Sequence, residues 1–155
     1  MKKIITFAFS LVLFGALHAA PSKPNIIYIV SDDLGYGDLG SYGQKQVKTP
    51  RLDRMAKEGL RFTDHYAGHT VCRPARLVFL TGKHTGHTAI AGNNMHVLPK
   101  GSKTVTSLLK AAGYVTGGAG KWALGDVGTS GHPNNQGFDF FYGYLDQGAA
   151  HDYYP

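Results

Sequence analysis

The only cysteine of this sequence lies in its most informative stretch, Cys72-Arg73-Pro74-Ala75-Arg76. Proline is tolerated in the first turn of a helix, so Pro74 predicts that a helix begins at or just before Cys72. Free N–H groups and the positive dipole end at such a terminus would stabilise a bound anion. Arg76 follows four residues later and shares a helix face with Cys72. The pattern indicates a catalytic site, with a buried thiol and a surface arginine as the simpler alternative.

Two adjacent carboxylates, Asp32 and Asp33, follow an apolar, β-branched run at residues 25–30. Neighbouring carboxylates repel each other, so a positive partner should offset them, and their oxygens are the hard ligands that suit Ca²⁺ or Mg²⁺. The residues alone leave a second interpretation open, in which one aspartate caps a loop and the other is solvated.

A lysine and three histidines complete the candidate groups. Lys121 is expected where a strand ends in a cleft, a position from which an ammonium group can clamp an anion, although a solvated lysine is the alternative. Histidine is suited to general acid–base work because it titrates near neutral pH. His84, His87 and His151 are therefore candidates, and each has the alternative role of a polar loop residue.

The elements that must position these groups alternate between strand and helix. Thr49 and Pro50 mark the N-cap and first residue of one helix. This rhythm predicts an α/β fold with a mainly parallel sheet and helices on both faces. Ligands of such sheets collect at the carboxyl ends of the strands, so Asp32, Asp33, Cys72 and Lys121 should converge on one edge. The predicted strands are 25–30, 60–66 and 114–120, the helices run from 49 to 59, 72 to 82 and 104 to 113, and the chain beyond 125 is expected to be mostly loop.

The glycine-rich segment after the aspartates matches a dinucleotide-binding pattern without its context. Gly35, Gly37 and Gly40 have the G-x-G-x-x-G spacing. That motif requires its first glycine at a strand end and a helix directly afterwards, so that helix N–H groups meet the pyrophosphate. Here two carboxylates intervene and would repel phosphate, and residues 41–48 show no helical period. We therefore reject a nucleotide site at this position.

The amino terminus predicts export. A basic start and an apolar run over residues 4–17 end in small residues, a pattern typical of a secretory signal peptide and too short for a comfortable membrane span. Residues 1–20 are assigned to the signal and 21–155 to the mature domain, which is expected to be periplasmic or secreted, without a stable membrane anchor. Cysteines usually pair in such oxidising compartments, so the lone Cys72 is a candidate for special chemistry.

Length and charge place further bounds on function. A chain of 155 residues is long enough for one domain with a real core. Without the signal it carries fourteen Lys and Arg residues against ten Asp and Glu, an ordinary balance that would suit an anionic substrate. No basic run and no interleaving of basic and aromatic residues suggests nucleic acid, so no nucleic-acid partner is expected.

Three segments together resemble the signature of the type I sulfatases, the arylsulfatase A-like members of the alkaline phosphatase superfamily. The first is the cysteine motif with its extension through Thr81-Gly82, and the second is the pair Asp32-Asp33. The third, Gly120-Lys121-Trp122-Ala123-Leu124-Gly125, is similar to the family's Gly-Lys-Trp-x-Leu-Gly segment. The resemblance covers most of residues 25–125 and identifies the chain as an N-terminal portion of such a protein.

The resemblance implies a sulfuric ester hydrolase in which a maturation enzyme oxidises Cys72 to formylglycine. One hydroxyl of the hydrated aldehyde would attack sulfur and expel the alcohol or phenol, and elimination would then release sulfate and restore the aldehyde. Asp32, Asp33 and the modified Cys72 would bind calcium, or magnesium in its place. Arg76 would brace the hydrated aldehyde, and Lys121 would contact the sulfate group.

Two positions depart from the family's pattern. Ala123 stands where many relatives carry a histidine that serves the formylglycine hydroxyl, so His84, His87 or His151 must supply that role or activity is reduced. Ala75 stands where the family often has serine, which affects recognition by the maturation enzyme. The aromatic-rich segment that ends in His151-Asp152-Tyr153-Tyr154-Pro155 looks like a substrate-side region, which makes His151 a substrate-binding candidate.

The implied substrate is a sulfated small molecule or a sulfated glycan, and two other functions stay open. One is hydrolysis of phosphate mono- or diesters, as in related enzymes of the superfamily. The other is a non-catalytic fragment that binds sulfated glycans, which Ala123 and the end at Pro155 favour. The 155 residues alone are expected to be inactive, because the resemblance implies later segments that complete the calcium site and add further lysine and histidine.

Overall fold

The computed structural model describes residues 23–88, 92–94 and 96–152, and the chain divides into two compact units, Met1–Ser31 and Asp32–Pro155. In the first unit, residues 23–31 form no regular element. The apolar run is exposed, from 54% at Ile26 to 86% at Ile27. The predicted strand at 25–30 is therefore wrong here. A parallel strand requires paired neighbours and covered faces, and an apolar run indicates only the tendency to find them.

The predicted signal peptide, residues 1–20, lies outside the described residues. So do the last three residues of the aromatic-rich segment, 153–155. Among the residues that the structure describes, no helix is long and apolar enough to cross a membrane.

The second unit holds the regular elements. Short 3₁₀ turns lie at Tyr36–Asp38, Gly40–Tyr42, Thr85–His87 and Pro133–Gln136. Within the described segment 41–49, no α-helix follows the glycines of the dinucleotide-like pattern directly. In chain order the elements are α1 (Pro50–Glu58), α2 (Cys72–Thr81), α3 (Val105–Ala111), β1 (Gly117–Lys121), β2 (Phe140–Tyr144) and α4 (Ala149–Asp152).

The helix boundaries follow the local signals in the sequence. Thr49 is the N-cap of α1 with Pro50 at its first position, and Gly82 ends α2 in the left-handed conformation with φ of 64°. The strand predicted at residues 60–66 is wrong, because these residues form an exposed loop with bends. Leu60 is 80% exposed and Tyr66 82% exposed, so the segment has no face packed as a strand would need.

The sheet of the described residues consists of β1 and β2, which pair in parallel with Gly117 opposite Phe140 and Lys121 opposite Tyr144. Parallel strands accompanied by helices confirm the α/β class. The position of β2 corrects the expectation that the chain beyond residue 125 is mostly loop. Surrounding glycine and asparagine obscured a short aromatic run whose residue types favour strand.

The core joins the cysteine helix to the segment that follows β1. Leu77 and Leu80 of α2 are buried together with Trp122 and Leu124. Two phenylalanines from the β2 side pack edge-on against the indole of Trp122, with ring centroids 5.6 and 5.8 Å away. This packing fixes α2 against the end of β1, and Cys72 and Lys121 occupy the two ends that it brings together.

Candidate active site

Lys121 lies at the centre of a polar cluster at the end of β1. Its Nζ is 2.9 Å from Asp32 Oδ2 and 3.4 Å from Cys72 Sγ. The thiol of Cys72, at the start of α2, is 4.0 Å from the same aspartate oxygen. Of the four residues that were expected to converge, Asp32, Cys72 and Lys121 therefore lie together.

Arg76 lies beside this cluster on the same face of α2 as Cys72. Its guanidinium approaches Asp32 Oδ2 at 3.5 Å and donates a hydrogen bond to the carbonyl oxygen of Lys121. The Nε atom is buried and has no hydrogen-bond partner among the described residues. Since an unsatisfied buried donor is costly, Arg76 Nε is a donor available to a bound anion or water.

The charges around Asp32 keep its carboxylate ionised. The hydrogen bond from Lys121 is the main cause that lowers the pKa of Asp32, and the charges of Lys121 and Arg76 and the Cys72 thiol add to it. Burial opposes this shift. The carboxylate in turn holds the two cationic side chains next to Cys72, which leaves the cluster with a positive face suited to an anionic group.

Asp33 does not join the cluster in the same way. Its backbone is left-handed, with φ of 56°, a conformation uncommon for residues other than glycine. Among the described residues, no hydrogen bond or ion pair links its side chain to Cys72, Arg76 or Lys121. Asp32 is therefore the aspartate of the pair that contacts the two cationic side chains, and Asp33 lies exposed next to it in the chain.

The predicted metal ligands fit a hard cation as part of a ligand set. Asp32 and Asp33 supply carboxylate oxygens, the donors that calcium prefers, whereas calcium takes about six to eight oxygens. No group of three or more His, Cys, Asp or Glu residues close enough to share a metal occurs in the described part of the chain. Further ligands are therefore needed before these two carboxylates can hold the ion.

The N-terminus of α2 offers fewer free donors than the sequence predicted. The N–H of Arg73 donates to Asn93 Oδ1 at 3.1 Å, Pro74 has no N–H, and Ala75 N already bonds to Val71 O. Among the described residues, the N–H of Cys72, the first of the helix, is the one donor of this turn without a partner. Side chains, rather than the helix terminus, therefore supply most of the positive charge around Cys72.

The structure separates the three histidine candidates. His151, on α4, has its Nε2 3.0 Å from Lys121 Nζ. His84 instead accepts a hydrogen bond from Gly86 N, and its ring lies edge-on to that of His87, 6.2 Å away. His87 lines a different cavity, of about 260 Å³, beside the C-terminal half of α2. His151 is therefore the candidate that the fold places at the cluster.

Two structural features near the site were not predicted from the sequence. Arg73 is 4% exposed and donates through Nε to the carbonyl oxygen of Ala123 at 2.7 Å. Ala123 itself is 2% exposed and has a left-handed backbone with φ of 67°. The sequence gives no direct signal for either feature, because a charged residue is usually exposed and Ala123 was noted only as a missing histidine.

Comparisons with known proteins identify relatives of this chain. A family model described as "Sulfatase" matches residues 24–155. Human Arylsulfatase D is 41% identical over 136 residues, which cover 78% of this chain and 23% of that protein. Arylsulfatase A of Bos taurus is 46% identical over 132 residues, which cover 81% of this chain and 26% of that protein.

A solved structure shows the same likeness in three dimensions. The crystal structure of Ps i-CgsB in complex with k-i-k-neocarrahexaose has 41% sequence identity and a TM-score of 0.70, and the match covers 80% of this chain and 28% of that one. The chain thus spans about a quarter of the length of these relatives. The matched family model and the level of identity establish that the chain belongs to the sulfatase family.

Proposed function

We propose that this chain forms the N-terminal part of an exported, calcium-dependent sulfatase, with residues 1–20 as signal peptide and 21–155 in the catalytic domain. The reaction is hydrolysis of sulfate esters, with Cys72 as the residue that becomes formylglycine. The observation that carries the proposal is the position of Lys121 Nζ, which lies 3.4 Å from Cys72 Sγ and contacts the same oxygen of Asp32 as Arg76. Two cationic side chains there face the reacting position from different elements.

The side chains divide the work by charge. Lys121 holds the sulfate oxygens as a point charge, and Asp32 orients its ammonium group through the 2.9 Å ion pair. Arg76 donates from its otherwise unpartnered Nε to an oxygen on residue 72 or on sulfate. Positive groups fixed in advance where negative charge develops lower the barrier to sulfuryl transfer.

Asp32 and Asp33 would hold calcium together with ligands beyond these two. The bound ion would supply a Lewis-acidic positive charge next to residue 72, and formylglycine, once formed, would supply the oxygen nucleophile. Because two carboxylates fall short of a calcium ligand set, we propose that the 155-residue chain alone does not turn over substrate.

His151 is the proposed group that contacts the substrate and moves a proton in place of the histidine absent at Ala123. Its ring nitrogen is within hydrogen-bond distance of Lys121 Nζ, so both groups face the same bound oxygen atoms. The alternative in which the chain binds sulfated glycans without turnover rests on Ala123, whose buried methyl group has no proton to transfer.

The proposed partners are a sulfated substrate and a formylglycine-generating maturation enzyme. A glycan is favoured over a small aryl ester because the related Ps i-CgsB is known in complex with the oligosaccharide k-i-k-neocarrahexaose. Export to the periplasm or outside the cell, predicted from the amino terminus, would bring the enzyme to such polymers.

Mass spectrometry of the peptide that contains residue 72 tests the proposal. Protein produced together with a maturation enzyme should contain formylglycine, and the full-length gene product should hydrolyse an aryl sulfate faster than the matched aryl phosphate. Cys72→Ala is the control and should lose both properties. An unmodified Cys72 in an active enzyme would refute the formylglycine assignment, and faster phosphate turnover would favour the phosphoesterase. Binding of a sulfated oligosaccharide without turnover would favour the non-catalytic alternative.

A further inference from the structure

Arg73 is a buried arginine that connects three parts of the chain. Its Nε donates to Ala123 O at 2.7 Å, and its terminal nitrogen donates to the carbonyl oxygens of Asn93, at 2.8 Å, and Asn94. Its own N–H bonds to Asn93 Oδ1. One residue next to Cys72 thus ties the start of α2 to the segment directly after Lys121 and to the loop at residues 93–94.

The burial of the Arg73 guanidinium restricts how far its hydrogen-bond partners can move. A guanidinium that is 4% exposed must have its N–H groups satisfied, or the cost of desolvation is large. Carbonyl oxygens supply this compensation at fixed positions. Any movement of Ala123 away from α2 would break a charge-assisted hydrogen bond in a site with little access to water.

The backbone at Ala123 is in a conformation that needs such support. Its φ of 67° lies in the left-handed region, which is strained for a residue with a Cβ atom. The bond from Arg73 holds its carbonyl, while Ala123 N donates to Leu145 O at 3.0 Å. The strained turn is therefore held on both sides, and Lys121 precedes it by two residues.

We propose that Arg73 is a positioning residue that sets Lys121 over residue 72. The inference deepens the proposed function, on which its consequence for turnover rests. The claim that Arg73 fixes the turn at Ala123 does not depend on the proposed function, because it concerns only the geometry of that turn.

The sole tryptophan of the chain reports on this turn, because Trp122 lies between Lys121 and Ala123 and is 4% exposed. Arg73→Met should shift Trp122 emission to the red and increase its quenching by acrylamide, with far-UV circular dichroism unchanged. The emission maximum and quenching of Arg73→Lys should lie between those of Arg73→Met and wild type, because one ammonium group replaces only some of the guanidinium N–H donors. Arg54→Met, which removes an exposed arginine from α1, is the matched control and should leave the emission unchanged.

Turnover of the full-length gene product gives the second measurement. Arg73→Met should lower kcat about 100-fold with a smaller change in KM, because a small displacement of a catalytic group is costly. If Arg73 acts through Lys121, the double variant Arg73→Met, Lys121→Met should be no slower than Lys121→Met alone. A purely structural role would instead multiply the two losses.

Unchanged Trp122 emission in Arg73→Met, or multiplicative losses in the double variant, would overturn the proposal. If Arg73→Met fails to fold, Arg73→Lys becomes the test. A folded Arg73→Lys variant with wild-type Trp122 emission and wild-type kcat would also overturn the proposal. If the wild-type protein has no sulfatase activity, the proposed function fails, while the emission and quenching data still test the positional role.

Discussion

Lys121 Nζ lies 3.4 Å from Cys72 Sγ, although 48 residues separate the two along the chain. Two kinds of structure produce this contact. Cys72 begins α2, and Lys121 ends β1, and the leucines of α2 pack against Trp122 directly after the strand. The contact is therefore a property of the hydrophobic core, and substitutions at the site can be designed without altering that core.

Lys121→Met should lower sulfatase turnover of the full-length gene product by about 100- to 1,000-fold, the usual effect of removing one preorganised donor from a transition state. Methionine keeps most of the side-chain volume and removes the charge beside Cys72 and Asp32. Steady-state kinetics on an aryl sulfate measures the change. Lys57→Met, in the last turn of α1, is the matched control. Equal turnover of Lys121→Met and wild type would exclude Lys121 from the reaction.

His151→Ala should reduce kcat about 100-fold or more, in the range of general acid–base catalysis. His84→Ala serves as the control, since that ring bonds to Gly86 N, away from Lys121, and its loss should change kcat less than about threefold. The two variants distinguish the candidates that the sequence left equal. A larger effect at His84 than at His151 would reverse the assignment.

The parts of the fold that the sequence predicted are those with local signals. Thr49 and Pro50 start α1, Gly82 ends α2, and Cys72 stands at the first helical position. Each of these boundaries depends on the chemistry of one or two residues and their neighbours, such as a fixed proline φ or a glycine that accepts a left-handed backbone. Such signals are readable without knowledge of the rest of the chain.

Strands and buried charges depend on partners that the local sequence does not reveal. Residues 25–30 have the apolar pattern of a strand and remain exposed, whereas β2 forms in a segment that looked like loop. Arg73 carries a charge of the kind usually found at the surface, and its burial is possible because carbonyl oxygens from two distant segments accept its hydrogen bonds. Pairing and burial are decided by contacts far apart in sequence, so these features required the structure.

Asp139→Asn should remove a stabilising effect that depends on pH. The hydrogen bond from Lys110, at 2.7 Å, and bonds from Thr116 lower the pKa of Asp139 to about 2. In an unfolded chain an aspartate has a pKa of about 3.9. The contribution of ionised Asp139 to the free energy of unfolding is therefore fully present above about pH 3.9 and is lost as the pH falls through about 2, the pKa in the folded state. The stability difference between wild type and Asp139→Asn should therefore shrink between about pH 4 and pH 2.

Urea unfolding midpoints at pH 6, 4 and 2.5, chosen to span the range from about pH 4 to about pH 2, measure this difference. Asp64→Asn, which removes an exposed carboxylate from the loop after α1, controls for the loss of one negative charge. A gap between wild type and Asp139→Asn that stays constant at all three values would contradict a role for the ionised carboxylate.

Gly131→Ala should destabilise the fold by about 1–3 kcal/mol, the usual cost of overpacking a tight site. A Cβ atom at this position would overlap the carbonyl oxygen of Leu124 and lie 2.9 Å from Leu98 N. Those two atoms form the 2.9 Å hydrogen bond that holds the segment after β1 against residue 98, so the clash should loosen the support of Lys121. Gly37→Ala is the matched control, because a Cβ there meets nothing within 4 Å. Urea midpoints compare the two, and an equal effect of both substitutions would show that the close approach at Gly131 does not constrain the fold.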